Sequence, residues 1–275
     1  MPVIQPAKLK LQISELVDTY DQVEVFERKL IDLLELYADN TRRQGVVISA
    51  VTLLDSLGVP NQVIRLLSIN LEGKAQKNPE STLDICDHLW KIPYVEYRLI
   101  ASQLLGFLPA SYKDEILSRI NAWKKGSFDE SIALILLKNG FSSLMQTHPE
   151  DLMQIAENWL LSSENNNLQY GVLLLGILIR DNHYENNPRA YRLITPLIRK
   201  TPGEIRSLMP SLIADLASKD AYETAYILKE ALNASESPDT GWTIRQSLQN
   251  FPPEIQNNLR IALREKISQN KNSNQ

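Results

Sequence analysis

Cysteine, histidine and glycine are scarce in this chain of 275 residues, and each shortage excludes a class of site. Cys86 is the only cysteine, which excludes an internal disulfide and a zinc cluster built from thiolates. The histidines His88, His148 and His183 lie far apart in sequence, and none has the i, i+4 spacing of a helical metal site. No glycine-rich phosphate loop is present. We therefore expect no metal and no cofactor, and we expect a reducing, cytoplasmic compartment.

The chain also lacks a long apolar run and an excess of basic charge. Its longest apolar run, 171–179, falls short of the roughly 20 residues that a membrane-spanning helix needs. The first residues lack the charged-then-apolar pattern of a signal peptide. The formal net charge is -4 at pH 7, so any nucleic-acid contact has to come from a local basic patch. We expect no membrane association.

What the sequence does contain is helical periodicity. The clearest segment is 79–109, which predicts two helices joined at 91–93, because Pro79 and Pro93 each suit the start of a helix. The second helix carries one apolar face, formed by Tyr97, Ile100, Ala101, Leu104, Leu105 and Leu108. A hairpin of this kind cannot bury its own apolar stripe and needs neighbours built the same way.

Similar helix pairs recur along the chain about every 35–40 residues, the spacing of HEAT-like repeats. The sequence predicts an all-α fold, a right-handed α-solenoid of antiparallel helix pairs. We expect one domain over residues 1–270, with helices from about 9 to 268 and a disordered tail at 270–275.

Some boundaries depend on single residues. The segment Val46–Leu57 is predicted to be a short apolar helix that Gly58 and Pro60 terminate. A second helix is predicted from Asn61 to Leu71, followed by a loop at 73–78. Pro210 lies inside the apolar stripe of 205–216 and should kink or split that helix.

The four tryptophans, Trp90, Trp123, Trp159 and Trp242, each lie near a predicted helix end or repeat boundary. The simpler interpretation is that they fill gaps between layers of helices. The functional interpretation is a surface on which indole rings meet a base or a sugar.

Three charged residues near these positions are candidates for chemistry. Glu96 and Arg98 flank the apolar stripe of their helix, where they either face solvent and neighbouring repeats or point into a groove. Asp129 opens a helix, which is favourable for an acid on electrostatic grounds alone, and it is also the candidate for a catalytic carboxylate in a cleft.

One segment has a local excess of positive charge. Five basic residues stand there against the single acid Glu204: Arg189, Arg192, Arg199, Lys200 and Arg206. The segment is either a solvated helix face or an edge that faces phosphates.

Several of these segments resemble the DNA alkylation-repair family, the HEAT-like alkylpurine DNA glycosylases, from about residue 20 to about residue 265. The similarity is carried by Gly58-Val59-Pro60 with Arg65, by Leu89-Trp90 with Glu96-Tyr97-Arg98 and Ala101, by Asn121-Ala122-Trp123, and by Trp159-Leu160 with Ser162 and Asn165.

The resemblance implies a concave cleft in which a tryptophan is followed closely by a catalytic aspartate. On this basis Asp129 would stabilise the positive charge that develops on the sugar as the base departs. Trp123 and Trp242 would contact the nucleotide, while Arg245 and the basic segment would grip phosphates. In this sequence five residues separate Trp123 from Asp129, a longer spacing than the family's.

We therefore predict a HEAT-like binding protein related to the alkylation-repair proteins, without catalysis, that holds DNA or a protein partner on its concave face. Two alternatives stay open. One is an alkylpurine DNA glycosylase that hydrolyses the N-glycosidic bond of alkylated bases. The other is a pure protein–protein scaffold, which the negative net charge favours.

Overall fold

Helices form all of the regular structure in the part of the chain that the structure describes. The structure is a computed structural model, and it describes residues 4–39, 52–164, 166–235 and 237–273. Over these ranges there is no β-strand, and the only extended pairing is an isolated parallel bridge between Asp55 and Tyr94. The predicted all-α class is confirmed. None of the helices in these ranges has the length and apolar character needed to cross a membrane.

The chain divides into two compact units, Met1–Thr147 and His148–Gln275. The helices of the first unit are α1 (Pro6–Val17), α2 (Val23–Tyr37), α3 (Asn61–Lys77), α4 (Pro79–Lys91), α5 (Val95–Phe107), α6 (Lys113–Trp123), α7 (Glu130–Gly140) and α8 (Ser142–Thr147). Those of the second unit are α9 (Pro149–Leu161), α10 (Asn167–Arg180), α11 (Asn187–Arg199), α12 (Met209–Lys219), α13 (Ala221–Ala234), α14 (Pro238–Ser247) and α15 (Pro253–Ser273). Short 3-10 turns lie at Ala110–Tyr112, Gly203–Ile205 and Leu248–Asn250.

The interpretation as one domain stays a prediction. The disordered tail also stays a prediction, and its residues 274 and 275 lie outside the described ranges.

Within each unit, helices pack mainly against the next helix and the next but one. In the first unit α5 contacts α3, α4 and α7, while α2 packs on α4. In the second unit α10 contacts α9 and α12, and α13 contacts α11, α12 and α15. Stacked helix pairs give this pattern. The superhelical arrangement and its right hand stay predictions.

The α4–α5 hairpin has the predicted form. α4 begins at Pro79, and the connection before α5 contains Pro93. Every residue of the predicted apolar stripe of α5 is buried, from Tyr97 at 3% exposure to Leu108 at 0%. Burying an aliphatic side chain of this size stabilises the fold by roughly 1.5–3 kcal/mol, so this face anchors α5 between α3, α4 and α7.

α10 is the most deeply buried helix of the second unit. All of its residues from Tyr170 to Ile179 are buried, as its continuous apolar character predicts. Gly171 permits close packing, because a Cβ there would lie 3.1 Å from the backbone nitrogen of Leu160 on α9.

Of two boundaries predicted from proline or glycine, one is confirmed and the other is wrong. Pro210 splits its stripe as predicted, because it lies in the first turn of α12 while Gly203–Ile205 forms a separate 3-10 turn. The predicted loop at 73–78 is wrong, since α3 continues to Lys77. Gly73 has no atom within 4 Å of where a Cβ would lie, so solvent surrounds it on the open side of α3.

The predicted helix at Val46–Leu57 is wrong where it can be checked. Residues 46–51 lie outside the described ranges, and residues 52–58 form a loop without helical hydrogen bonding. We refer to residues 52–58 as the anchored loop, because side chains of α5 and the cap of α7 hold it.

Candidate functional site

Most of the site residues predicted from the sequence lie where the first helix of a pair ends and the second begins. In the first unit, Trp90 is close to the end of α4 and Trp123 is the last residue of α6, while Asp129 precedes α7. In the second unit, Arg199 ends α11 and Trp242 lies in α14. Each junction carries the N-terminus of a second helix, which is the positive end of its dipole.

Trp90 and Trp123 stack on each other. Their ring centroids are 4.4 Å apart and the rings are within 8° of parallel. The guanidinium carbon of Arg98 lies 4.8 Å from the Trp90 ring centroid. Trp90 is only 7% exposed, whereas Trp123 and Arg98 are half-buried. The stack therefore joins α4, α5 and α6, and an aromatic pair of this kind contributes roughly 0.5–1.5 kcal/mol beyond its burial.

Both carboxylate oxygens of Asp129 accept hydrogen bonds. Oδ1 accepts from the backbone nitrogen of Ile132 at 3.1 Å, which makes Asp129 the N-cap of α7. Oδ2 accepts from the backbone nitrogen of Leu53 at 2.7 Å and from the hydroxyl of Thr52 at 2.9 Å. One carboxylate thus caps a helix and holds one end of the anchored loop.

Glu96 holds the other end of the anchored loop. Its side chain is 6% exposed and lies in the first turn of α5. It accepts hydrogen bonds from the Ser56 hydroxyl at 2.7 Å, the Leu57 amide at 3.0 Å and the Gly58 amide at 2.9 Å. Gly58 has a φ of 68°, a left-handed conformation that glycine adopts without strain. A buried carboxylate needs such donors, because burying it without them would be costly.

A backbone hydrogen bond fixes the middle of the loop, since the Val95 amide donates to the Asp55 carbonyl at 3.0 Å. Sequence reasoning missed Thr52 and Ser56 as partners of the two acids. The available signal was the Asp-Ser-Leu-Gly-Val-Pro run at 55–60, whose residue types favour a turn over a helix.

In the second unit, acidic residues of α9 surround Arg189. Its Nη2 lies 2.5 Å from Glu157 and 2.7 Å from the Gln154 side-chain oxygen, and its Nη1 lies 3.2 Å from Glu150. The hydrogen bond to Glu157 is the main reason that the pKa of Arg189 is raised. Its side chain is only 18% exposed. Arg189 therefore joins α11 to α9 with its charge compensated.

The four other cations of the basic segment are exposed: Arg192, Arg199, Lys200 and Arg206. Arg199 and Lys200 line a groove of about 620 Å³ together with Ser235, Ser237 and Asp239. The groove runs past the end of α11, where the Ser235 and Thr240 hydroxyls donate to the Arg199 carbonyl at 2.6 and 3.0 Å.

Arg206, Asp239 and Trp242 form one cluster. The Arg206 guanidinium carbon lies 4.4 Å from the Trp242 ring centroid, and its Nη2 is 3.3 Å from Asp239. Arg245 follows on the same helix, is exposed, and lines a polar groove of about 390 Å³ with Arg260 and glutamine side chains. The cluster thus supplies an indole that the Arg206 guanidinium covers on one side.

The described residues contain no group of three or more histidine, cysteine, aspartate or glutamate side chains able to hold a metal ion. Cys86 is buried, and burial is the main cause that raises the pKa of its thiol.

Comparison with models of known protein families shows to which family the chain belongs. A family model described as DNA alkylation repair enzyme matches residues 31–251, which is most of the chain. The chain belongs to the DNA alkylation repair enzyme family. Comparisons with curated proteins and with solved structures gave no match.

Membership in the DNA alkylation repair enzyme family confirms the resemblance seen in the sequence. The matched range includes the anchored loop, the Trp90–Trp123 stack and the Arg206–Trp242 cluster. The roles of the individual residues in binding or catalysis stay predictions.

Proposed function

We propose that this protein binds DNA without excising bases. In this proposal the helix pairs stack as a right-handed, HEAT-like solenoid in the cytoplasm, and its concave face holds the duplex. Family membership supports DNA as the partner.

The hydrogen bonding of Asp129 carries the non-catalytic part of the proposal. A carboxylate that stabilises positive charge on a sugar must direct an oxygen at it. Here Oδ1 is used by the cap of α7 and Oδ2 by two donors of the anchored loop. Three of the roughly four acceptor positions of the carboxylate are therefore occupied by the protein's own donors, so we assign Asp129 a positioning role.

The exposed cations of the second unit carry the DNA-binding part. Arg199 and Lys200 line an open groove, and their placement suits phosphate contacts. Arg189 contributes little to such contacts, because Glu150 and Glu157 already compensate its charge.

Binding is tested by fluorescence anisotropy of a labelled duplex, plain or carrying a methylated purine or an abasic-site mimic, at two salt concentrations. We expect salt-dependent binding of all three duplexes. The double variant Arg199→Gln/Lys200→Gln should lower the slope of log K against log salt by about 2. The control Lys219→Gln/Arg264→Gln makes the same charge change at two other exposed positions and should leave the slope nearly unchanged.

Catalysis is tested by base release from the methylated duplex with excess protein. We expect no release by the wild type. Release that is lost in Asp129→Asn would refute the proposal in favour of the alternative, an alkylpurine DNA glycosylase. Absence of DNA binding even at low salt would instead leave the second alternative, a protein–protein scaffold, and affinity capture would then identify the partner.

A further inference from the structure

A second cavity of the second unit adjoins the groove lined by Arg199 and Lys200, because Ser235 and Ser237 border both. It has a volume of about 280 Å³ and is bordered by the end of α13, by α14 and by α15. Its apolar wall is formed by Leu232, Pro238, Leu263 and Ile267. The volume is just below the range of roughly 300–1,000 Å³ that small-molecule sites occupy, so it suits a ligand of fragment size.

Two cations border the same cavity. Arg245 is exposed, and the Lys266 ammonium donates to the Asn233 carbonyl at 3.0 Å, which fixes it at the cavity edge. Among the described residues that line the cavity there is no carboxylate. The charged side chains among these described lining residues are therefore both cations.

Gly241 keeps the space between the charged and the apolar side open. A Cβ there would lie 3.5 Å from Arg245 Nη1 and 3.7 Å from Leu263 Cδ2. These two atoms thus face the same space, one on its polar and one on its apolar side. A side chain larger than alanine at position 241 would occupy that space.

The hydroxyls of the wall are already used inside the protein. Ser235 donates to the Arg199 carbonyl at 2.6 Å, and Ser237 caps α14 by accepting from the Asp239 amide at 3.3 Å. The Ser237 hydroxyl also donates to Asp239 Oδ2 at 3.3 Å. Among the described side chains that line the cavity, the two cations are therefore the polar groups that can meet a ligand.

We propose that this cavity binds a small organic anion that has an apolar body. Its oxyanion group lies against Arg245 and Lys266, and its apolar body packs on Leu263 and Ile267. The proposed DNA contacts are made by Arg199 and Lys200, so anion binding at Arg245 and Lys266 does not depend on them.

The test is an NMR titration of the full chain with hexanoate, hexanamide and acetate, followed at the backbone amides of Gly241 and Arg245. Hexanoate combines both features of the ligand, hexanamide keeps only the apolar body, and acetate keeps only the charge. We expect saturable hexanoate binding with a dissociation constant on the order of 1 mM, and at least about tenfold weaker binding of the other two probes.

Two variants test the two sides of the site. Arg245→Gln should weaken hexanoate binding by about tenfold, since it removes a charge-assisted hydrogen bond, and Gly241→Leu should abolish it by filling the cavity. The controls are Arg260→Gln, in the neighbouring polar groove, and Gly73→Leu, at an open helix position; both should bind as the wild type does.

Equal affinity for hexanoate and hexanamide, or unchanged affinity in Arg245→Gln, would overturn the assignment. So would the absence of saturable hexanoate binding at roughly twenty times the expected dissociation constant. Arg245→Gln changes an exposed side chain, so the test stands even where Gly241→Leu disturbs α14.

Discussion

Replacing Asp129 separates its role in the anchored loop from any role in chemistry. Asp129→Ala removes the cap of α7, which is worth about 1 kcal/mol. It also removes two hydrogen bonds from the loop to a half-buried carboxylate, worth about 1 kcal/mol each. The loop contacts therefore contribute about 2 kcal/mol, and their loss should speed exchange of the Leu53 amide hydrogen by about 30-fold.

Asp129→Asn refines this expectation. Asparagine caps helices as well as aspartate does, so α7 should keep its stability. Its amide nitrogen cannot accept from the Leu53 amide, so the loop should still loosen. We expect about tenfold faster exchange at Leu53, with little change within α7.

Asp220 provides the matched control. It caps α13 by accepting from the amides of Tyr222 and Glu223 at 3.0 and 2.9 Å, both within its own helix. Asp220→Ala should cost about 1 kcal/mol and leave Leu53 exchange unchanged. The assay is hydrogen exchange resolved at single amides. If exchange at Leu53 stayed at the wild-type rate in both Asp129 variants, the reasoning would be refuted. Asp129 would then be available as the catalytic carboxylate of the glycosylase hypothesis.

Three further predictions concern stability. Glu96→Gln should accelerate exchange of the anchored-loop amides by about tenfold, because one of the two acceptor oxygens becomes a donor facing them; wild-type rates there would contradict the assigned contact. Gly58→Ala should lower the free energy of unfolding in urea by about 1 kcal/mol, because a φ of 68° is strained for alanine. Gly73→Ala within α3 should raise the free energy of unfolding by about 1 kcal/mol. Effects of equal sign for the two variants would contradict the backbone geometry. Burial, opposed by Arg180, raises the pKa of Asp215. The contribution of Asp215 to stability is therefore greatest below the ordinary aspartate pKa of about 3.9 and is lost as pH rises through the raised value; Asp215→Asn should raise Tm more at pH 7 than at pH 3.5, and equal shifts would exclude this linkage.

Local features of the fold could be predicted from sequence because each depends on neighbouring residues. The start of α4 at Pro79 and the buried stripe of α5 follow from proline chemistry and helical periodicity. The split before α12 follows from Pro210. These signals lie within a few residues of the features that they predict.

The contacts of the site could not be predicted in the same way, because they join residues distant in sequence. Ser56 meets Glu96 across 40 residues, and Thr52 meets Asp129 across 77. The segment beginning at Arg189 looked unbalanced in charge for the same reason. Its acidic partner Glu157 lies 32 residues earlier, outside any window that counts local charge.

The packing of each helix against its near neighbours in sequence has a consequence for folding. α5 and α13 gain their main contacts from helices no more than two places away along the chain, so these contacts close short stretches of chain. Short closures cost little entropy, so a helix pair can form early and extend by adding one helix at a time. We therefore expect each unit to fold on the microsecond-to-millisecond scale of helical proteins, and expect a damaged end helix to unravel without the cooperative loss of the rest.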